Sequence, residues 1–436
     1  MAVLDLPLEE LRRYLPDRQE PPDFLPFWVE TLAHSAARRR RAQFTAAYPE
    51  LRGVEVMDVT FSGFDGDPIR GWLILPLVRA PGLPVVVEYV GYGGGRGVPS
   101  QWLHWPACGF ASFVMDTRGQ GGASSAGSTP DPQAGSSGPQ HPGFLTRGIH
   151  DPRTYYYRRL FTDAVLAVDA AREHPAVGDA IVVAGGSQGG GMALAVAALA
   201  SGISAALIDV PFLSHIRRAI ELSDEDPYVE LRRFLGVHKG AVEDTFRTLA
   251  YFDGLNLAAR SHVPALFSVG LMDAITPPST IFAAYNHYAG PKRIDVFPYS
   301  GHEAGGPEHL FEKIRFLAGL GSCLRTREGA HDPPAARGHR RGAGAGRGRR
   351  RPADPAQPCR GTNRRGPTGP ARQARPPGRR RRDLPQVGRA RPGPGGDPPA
   401  RDAHHGRGVH SRRGATRTIR PGGTRRGRDS ERHGGG

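Results

Sequence analysis

The sequence predicts an α/β fold, a mostly parallel central sheet with helices on both faces, followed by a long tail that forms no core. Three observations predict it. Short apolar runs alternate with longer stretches of helical spacing through residues 1–323. The apolar runs end in polar, Gly-containing loops. From Leu324 onward Phe, Tyr and Trp vanish. Strands buried on both faces read as near-continuous apolar runs, and helices between them make the sheet parallel.

The elements follow in order. "GWLILP" (Gly71–Pro76), "PVVVEYVGYGG" (Pro84–Gly94) and "FASFVMDTRG" (Phe110–Gly119) read as strands, the last ending in polar loop residues. "YYYRRLFTDAVLAVDAAREH" (Tyr155–His174) spaces its apolar residues as a helix does. "AIVVAGG" (Ala180–Gly186) is a strand that runs into a Gly-rich turn, and a helix starts at Gly189. Ile203–Phe212, Pro264–Asp273 and Arg293–Glu303 read as further strands, and "PEHLFEKIRFL" as a closing helix. In open α/β sheets ligand chemistry gathers at the carboxyl ends of the strands.

Charge divides the 436-residue chain in two. Residues 324–436 hold 30 Arg, no Lys and 8 acidic residues, 30 − 8 = +22. Residues 1–323 hold 58 − 30 = 28 basic and 42 − 8 = 34 acidic residues, a net of −6. The body therefore gives no electrostatic basis for binding nucleic acid. The tail, rich in Gly, Pro and Arg, cannot bury enough apolar surface to offset chain entropy and is expected to be disordered. Two readings of it stay open: an Arg-rich arm for nucleic acid, or a GC-rich coding sequence read out of frame after a shift near Gly319–Arg325. The expected domains are thus 1–323 and 324–436.

Cys108, Cys323 and Cys359 show no paired spacing, which argues against a disulfide framework and a zinc site. The N-terminal "MAVLDLPLEELRRYLP" lacks a basic region followed by an apolar run, so no signal peptide is expected. No apolar run approaches the ~20 residues of a membrane span. A cytoplasmic protein is the expectation.

The chemistry centres on Gly185-Gly186-Ser187-Gln188-Gly189, a G-x-S-x-G between a strand and a helix. Such a turn lifts the serine hydroxyl above the sheet, and flanking side chains would clash, hence the glycines. A bare Gly-rich turn or a phosphate loop is the alternative, but no Lys follows where a P-loop needs one. The Gln188 N–H, at the helix start, is placed to donate to an oxyanion, so Gln188 is expected to act through its backbone more than its side chain. Serine needs a base and a carboxylate, in the chain order Ser, Asp or Glu, His. His302, in "YSGHE" after the last strand, suits the base; His309 is expected on a helix surface, and His262 and His287 have no strand end behind them. Asp273 follows "ALFSVG" and is favoured as the carboxylate over Asp209, which is expected to be a structural anchor. The Tyr92 N–H, in "EYVGYGGGRG", is a candidate second oxyanion donor. Arg118 is open between a structural ion pair and substrate contact.

These segments together carry a resemblance. "GYGGGRG", "DTRGQGG", "GFLTRGIHDPRTYYYRRLFTDAV", "GGSQGGG", "SVGLMDAITPPSTIFAAYN" and "PYSGHE", in this order across about residues 3–320, resemble carbohydrate esterase family 7, the acetyl xylan esterases and cephalosporin C deacetylases. The resemblance implies an α/β-hydrolase fold and a Ser187, Asp273, His302 triad, with Tyr92 and Gln188 amides as oxyanion hole. It implies deacetylation of acetylated xylo-oligosaccharides, other small acetylated sugars and cephalosporin C, with no metal and no cofactor. It also implies a cytoplasmic hexamer whose sites face an internal cavity; the tail has no counterpart in the family and puts the hexamer in question. The rivals are an esterase or peptidase of the same fold with another acyl preference, and a nucleic-acid-binding protein acting through the tail.

Overall fold

A computed structural model describes residues 5–135 and 138–321. The Arg-rich tail lies outside the described residues, and with it the expected disorder. Nine strands form one sheet among the described residues: β1 (Gln43–Ala47), β2 (Val54–Ser62), β3 (Pro68–Pro76), β4 (Leu83–Tyr89), β5 (Ala111–Met115), β6 (Val177–Gly186), β7 (Ile203–Asp209), β8 (Ala265–Gly270) and β9 (Lys292–Phe297). Their order is β1-β2-β3-β5-β4-β6-β7-β8-β9. The first three strands and the β3–β5 pair are antiparallel. From β5 across to β9 every pair is parallel, so the carboxyl ends of six strands share one edge. The mostly parallel sheet expected from the sequence is the one observed.

The strand faces explain the apolar runs. Ile181 and Val183 of β6 join one core, with the helices Phe24–Ala36, Tyr156–Arg172 and Gln188–Leu199. Ala180, Val182 and Ala184 join another, against Trp105 and the closing helix Gly306–Gly319. With both faces covered, alternation disappears and the strand reads as a continuous apolar run. No helix of the described residues is long and apolar enough to cross a membrane.

The observed strands stop short of several expected ends. β4 ends at Tyr89, β5 at Met115, β7 at Asp209, β8 at Gly270 and β9 at Phe297. Val90, Thr117 and Arg118 are nonetheless buried. Burial continues past the last ladder pair, because these loops pack on one another above the sheet edge.

Candidate active site

Each chemistry-bearing residue stands at that shared edge. Ser187 follows β6, Tyr92 follows β4, Asp273 follows β8 and His302 follows β9. Ser187 has φ 57° and ψ −120°, a conformation L residues rarely adopt. Its neighbours hold it there. The Ser187 N–H donates to the Asp209 carbonyl at 3.0 Å, and its own carbonyl accepts from Gly191 and Phe212, each at 3.0 Å. The glycines are sterically required: a Cβ on Gly185 would sit 2.4 Å from Gly189 C, and one on Gly189 would sit 2.1 Å from Tyr89 O. Gly186 differs, since its Cβ would meet only Asp209 Cβ, at 3.8 Å.

His302 Nδ1 lies 2.9 Å from Asp273 Oδ2. Asp273 is buried and preset by its own loop. Its Oδ1 accepts from Ile275 N at 2.8 Å and Thr276 N at 2.9 Å, and the Thr276 hydroxyl donates to Oδ2 at 2.7 Å. With Nδ1–H donating to the carboxylate, the imidazole keeps Nε2 free as an acceptor. No hydrogen bond joins Ser187 Oγ to His302 among the described residues; such contacts are often long until substrate is bound.

Gln188 opens its helix, where the first amides have no intrahelical partner. The Tyr92 N–H takes part in none of the loop and cap hydrogen bonds of the described residues. Both donors are therefore available above Ser187's strand and its neighbour.

Asp209 does not compete for His302. Its Oδ1 accepts from Ser268 Oγ at 2.9 Å and meets His309 Nε2 at 3.0 Å, and its Oδ2 pairs with Lys313. Burial alone would push this carboxyl up; the Lys313 ammonium and the His309 bond outweigh it and hold it at about 2. His309 thus corrects the expectation of a surface residue: it is buried, and its ring also faces Asp295 at 3.5 Å. Arg118 is structural. It is fully buried between Asp163 (2.5 Å), Asp67 (3.1 Å) and Asp131 (3.3 Å). Burial opposes its charge, and these carboxylates, Asp163 foremost, more than offset that and raise its pKa. His287 bonds the Pro16 carbonyl at 2.8 Å, away from Ser187's loop.

Over residues 1–320 the sequence matches the family described as acetyl xylan esterase (AXE1). The chain belongs to the acetyl xylan esterase family. The structure is similar to the acetyl xylan esterase from Paenibacillus sp. R4, at 40% identity and TM-score 0.66, over 72% of this chain and 99% of that one. It is similar to acetyl xylan esterase 1 from Thermoanaerobacterium sp. JW/SL YS485, at 31% identity and TM-score 0.66 over the same shares. The acetyl esterase Axe7A of Xylanibacter ruminicola is 30% identical over 166 residues, 37% of this chain; the match spans 36% of that protein's length. Membership in the acetyl xylan esterase family indicates a carboxylic ester hydrolase, and the α/β-hydrolase architecture agrees with it.

Sequence reasoning missed the side chains that support Ser187 and the loops around it. The Gln188 side chain is buried and accepts from Gln120 Nε2 at 2.9 Å and the Tyr157 hydroxyl at 3.0 Å. Its Nε2 donates to the Val90 carbonyl at 3.3 Å. Gln120 Oε1 in turn accepts from Gly93 N at 2.7 Å. Gln188 therefore ties the elbow to the residues on both sides of Gly91 and Tyr92, in addition to presenting its N–H. Thr276 was missed as well. "RGQ" and the Thr three residues after Asp273 were the available signals.

Proposed function

We propose that the chain is a serine esterase that removes O-acetyl groups from small carbohydrates such as acetylated xylo-oligosaccharides, and from cephalosporin C. The observation that carries this reading is the Asp273–His302 bond at the sheet edge that also holds a serine at positive φ. Nε2 of His302 takes the Ser187 proton as Oγ attacks the acetyl carbonyl carbon. The C=O electron pair moves onto oxygen, and the Tyr92 and Gln188 amides stabilise it. Asp273 holds the tautomer and offsets the imidazolium charge. His302 then protonates the leaving sugar oxygen as its bond to the acyl carbon breaks. Water, deprotonated by His302, hydrolyses the acetyl-enzyme and returns the Ser187 hydroxyl.

The fuller reading places this domain at residues 1–323, apart from the tail at 324–436. It also includes a cytoplasmic hexamer with inward-facing sites, as in the family the chain resembles. The test is Ser187→Ala in the full-length protein with p-nitrophenyl acetate and an acetylated xylo-oligosaccharide. Hydrolysis is expected to fall to background while the fold is retained. Retained turnover sinks the triad assignment. Octanoyl esters turned over as fast as acetyl esters would redirect the substrate class.

A further inference from the structure

We infer that Glu230 is a positioning residue for the oxyanion loop, acting through the Tyr92 hydroxyl to fix where the Tyr92 N–H points. This rests on the serine-esterase reading above. Glu230 lies in the first turn of the helix Tyr228–Val237, within the helical excursion between β7 and β8. The Tyr92 hydroxyl donates to Glu230 Oε1 at 2.7 Å. The same hydroxyl accepts from Gly143 N at 3.2 Å and Phe144 N at 2.9 Å. Glu230 Oε2 accepts from Leu145 N at 3.2 Å. One carboxylate thus joins the loop after β4, the turn at 143–145 and the helix beyond β7.

The Tyr92 ring is held along its length. It packs edge-on to Phe144, centroids 5.6 Å apart, and to Phe212 at 6.1 Å. Phe212 itself donates its N–H to the Ser187 carbonyl. The loop "GYGGG" has almost no other side chains with which to resist backbone rotation, and glycines on each side make that rotation cheap. A ring fixed at its tip by Glu230 and flanked by Phe144 and Phe212 supplies the missing stiffness.

The residue type matters. No Arg, Lys or His pairs with Glu230 among the described residues. Burial pushes its carboxyl up, with the Tyr92 hydroxyl bond opposing. A half-buried carboxylate without a counter-ion is a costly way to fasten a helix. It is an apt way to accept one donor on each oxygen. A glutamine in its place keeps one acceptor and turns an N–H₂ towards the other donor.

The experiment uses the full-length chain and p-nitrophenyl acetate, with Glu230→Gln, Tyr92→Phe and the double variant. Tyr92→Phe keeps the backbone amide and the ring packing while removing the hydroxyl. Each single variant is expected to lower kcat by about ten- to hundred-fold, the scale of a small misplacement of catalytic groups, with KM nearly unchanged. The double variant is expected to be no slower than the slower single, because both break one connection. If Glu230→Gln does not fold, the kcat of Tyr92→Phe decides. Wild-type kcat in either folded single variant, a rise in KM alone, or losses that multiply overturns the inference. An active Ser187→Ala would overturn the esterase reading itself. An inactive Ser187→Ala beside a fully active Glu230→Gln overturns only the role of Glu230.

Discussion

Substituting Gly189 by alanine tests whether the serine turn and the proposed oxyanion loop around Tyr92 are one rigid unit. The new Cβ would lie 2.1 Å from the Tyr89 carbonyl oxygen, 2.8 Å from its carbon and 3.4 Å from Val90 N. Cβ contacts under 3.0 Å essentially do not occur. The end of β4 and the start of the helix Gln188–Leu199 must therefore separate by at least 3.0 − 2.1, about 0.9 Å. Both sides of the clash are backbone, so no rotamer change relieves it. Tyr89 is three residues before Tyr92, and the displacement passes directly into the loop that carries the Tyr92 N–H.

Stability and activity should respond unequally. Overpacking costs ~1–3 kcal/mol, and alanine recovers up to ~1 kcal/mol of helix propensity over glycine. The net loss is about 0–3 kcal/mol, a fall of no more than several degrees in Tm for a domain this size. A misplacement of ~1 Å costs about a hundredfold in rate. Steady-state hydrolysis of p-nitrophenyl acetate, alongside thermal unfolding, measures both. The expected signature is kcat down about a hundredfold in a protein that still unfolds cooperatively. Gly186→Ala is the control, since its Cβ meets an ordinary 3.8 Å contact and should leave most of the rate intact. A Gly189→Ala enzyme with wild-type kcat would show that the turn and the loop move independently.

Two further outcomes follow from the ion pairs. Arg118→Met leaves Asp163, Asp67 and Asp131 without their shared cation. Breaking a buried pair from one side costs about 3–5 kcal/mol, read as a lower urea midpoint; a loss under ~1 kcal/mol would contradict the structural role given to Arg118. Asp209 predicts an acid sensitivity. Its folded pKa is depressed from 3.8 to about 2, so its contribution of about 2 kcal/mol is present above pH ~4 and is lost as pH falls towards ~2. Unfolding free energies at pH 5 and pH 3 should converge between wild type and Asp209→Asn; a constant gap would refute the assignment.

The serine turn was legible because its demands are local. A residue at positive φ, pressed between a strand and a helix, leaves Gly185 and Gly189 no room for a Cβ. The requirement is written within five residues. Asp273 and His302 were legible for a related reason: each follows a strand, the apolar β8 and the half-buried β9, at the edge where the chain order places it. What holds these groups is written elsewhere. Gln120 meets Gln188 across 68 positions of sequence, and Tyr92 meets Glu230 across 138. Neither contact has a periodicity or a spacing that a single sequence could display.

His309 shows a subtler failure. His309 and Lys313 are spaced i, i+4 beside the apolar Leu310, Ile314 and Leu317, which reads as the polar edge of an amphipathic helix. In the fold that edge lies over the end of β7 and the body of β9, where Asp209 and Asp295 present carboxylates. An imidazole and an ammonium facing the sheet are tolerable only because the sheet supplies their partners. The Asp209 carbonyl, in turn, receives the Ser187 N–H. A polar pattern that looked like solvent exposure is therefore the far end of the support beneath the serine. Strain must be encoded where it occurs. The groups that hold it in place can be recruited from anywhere the fold brings near.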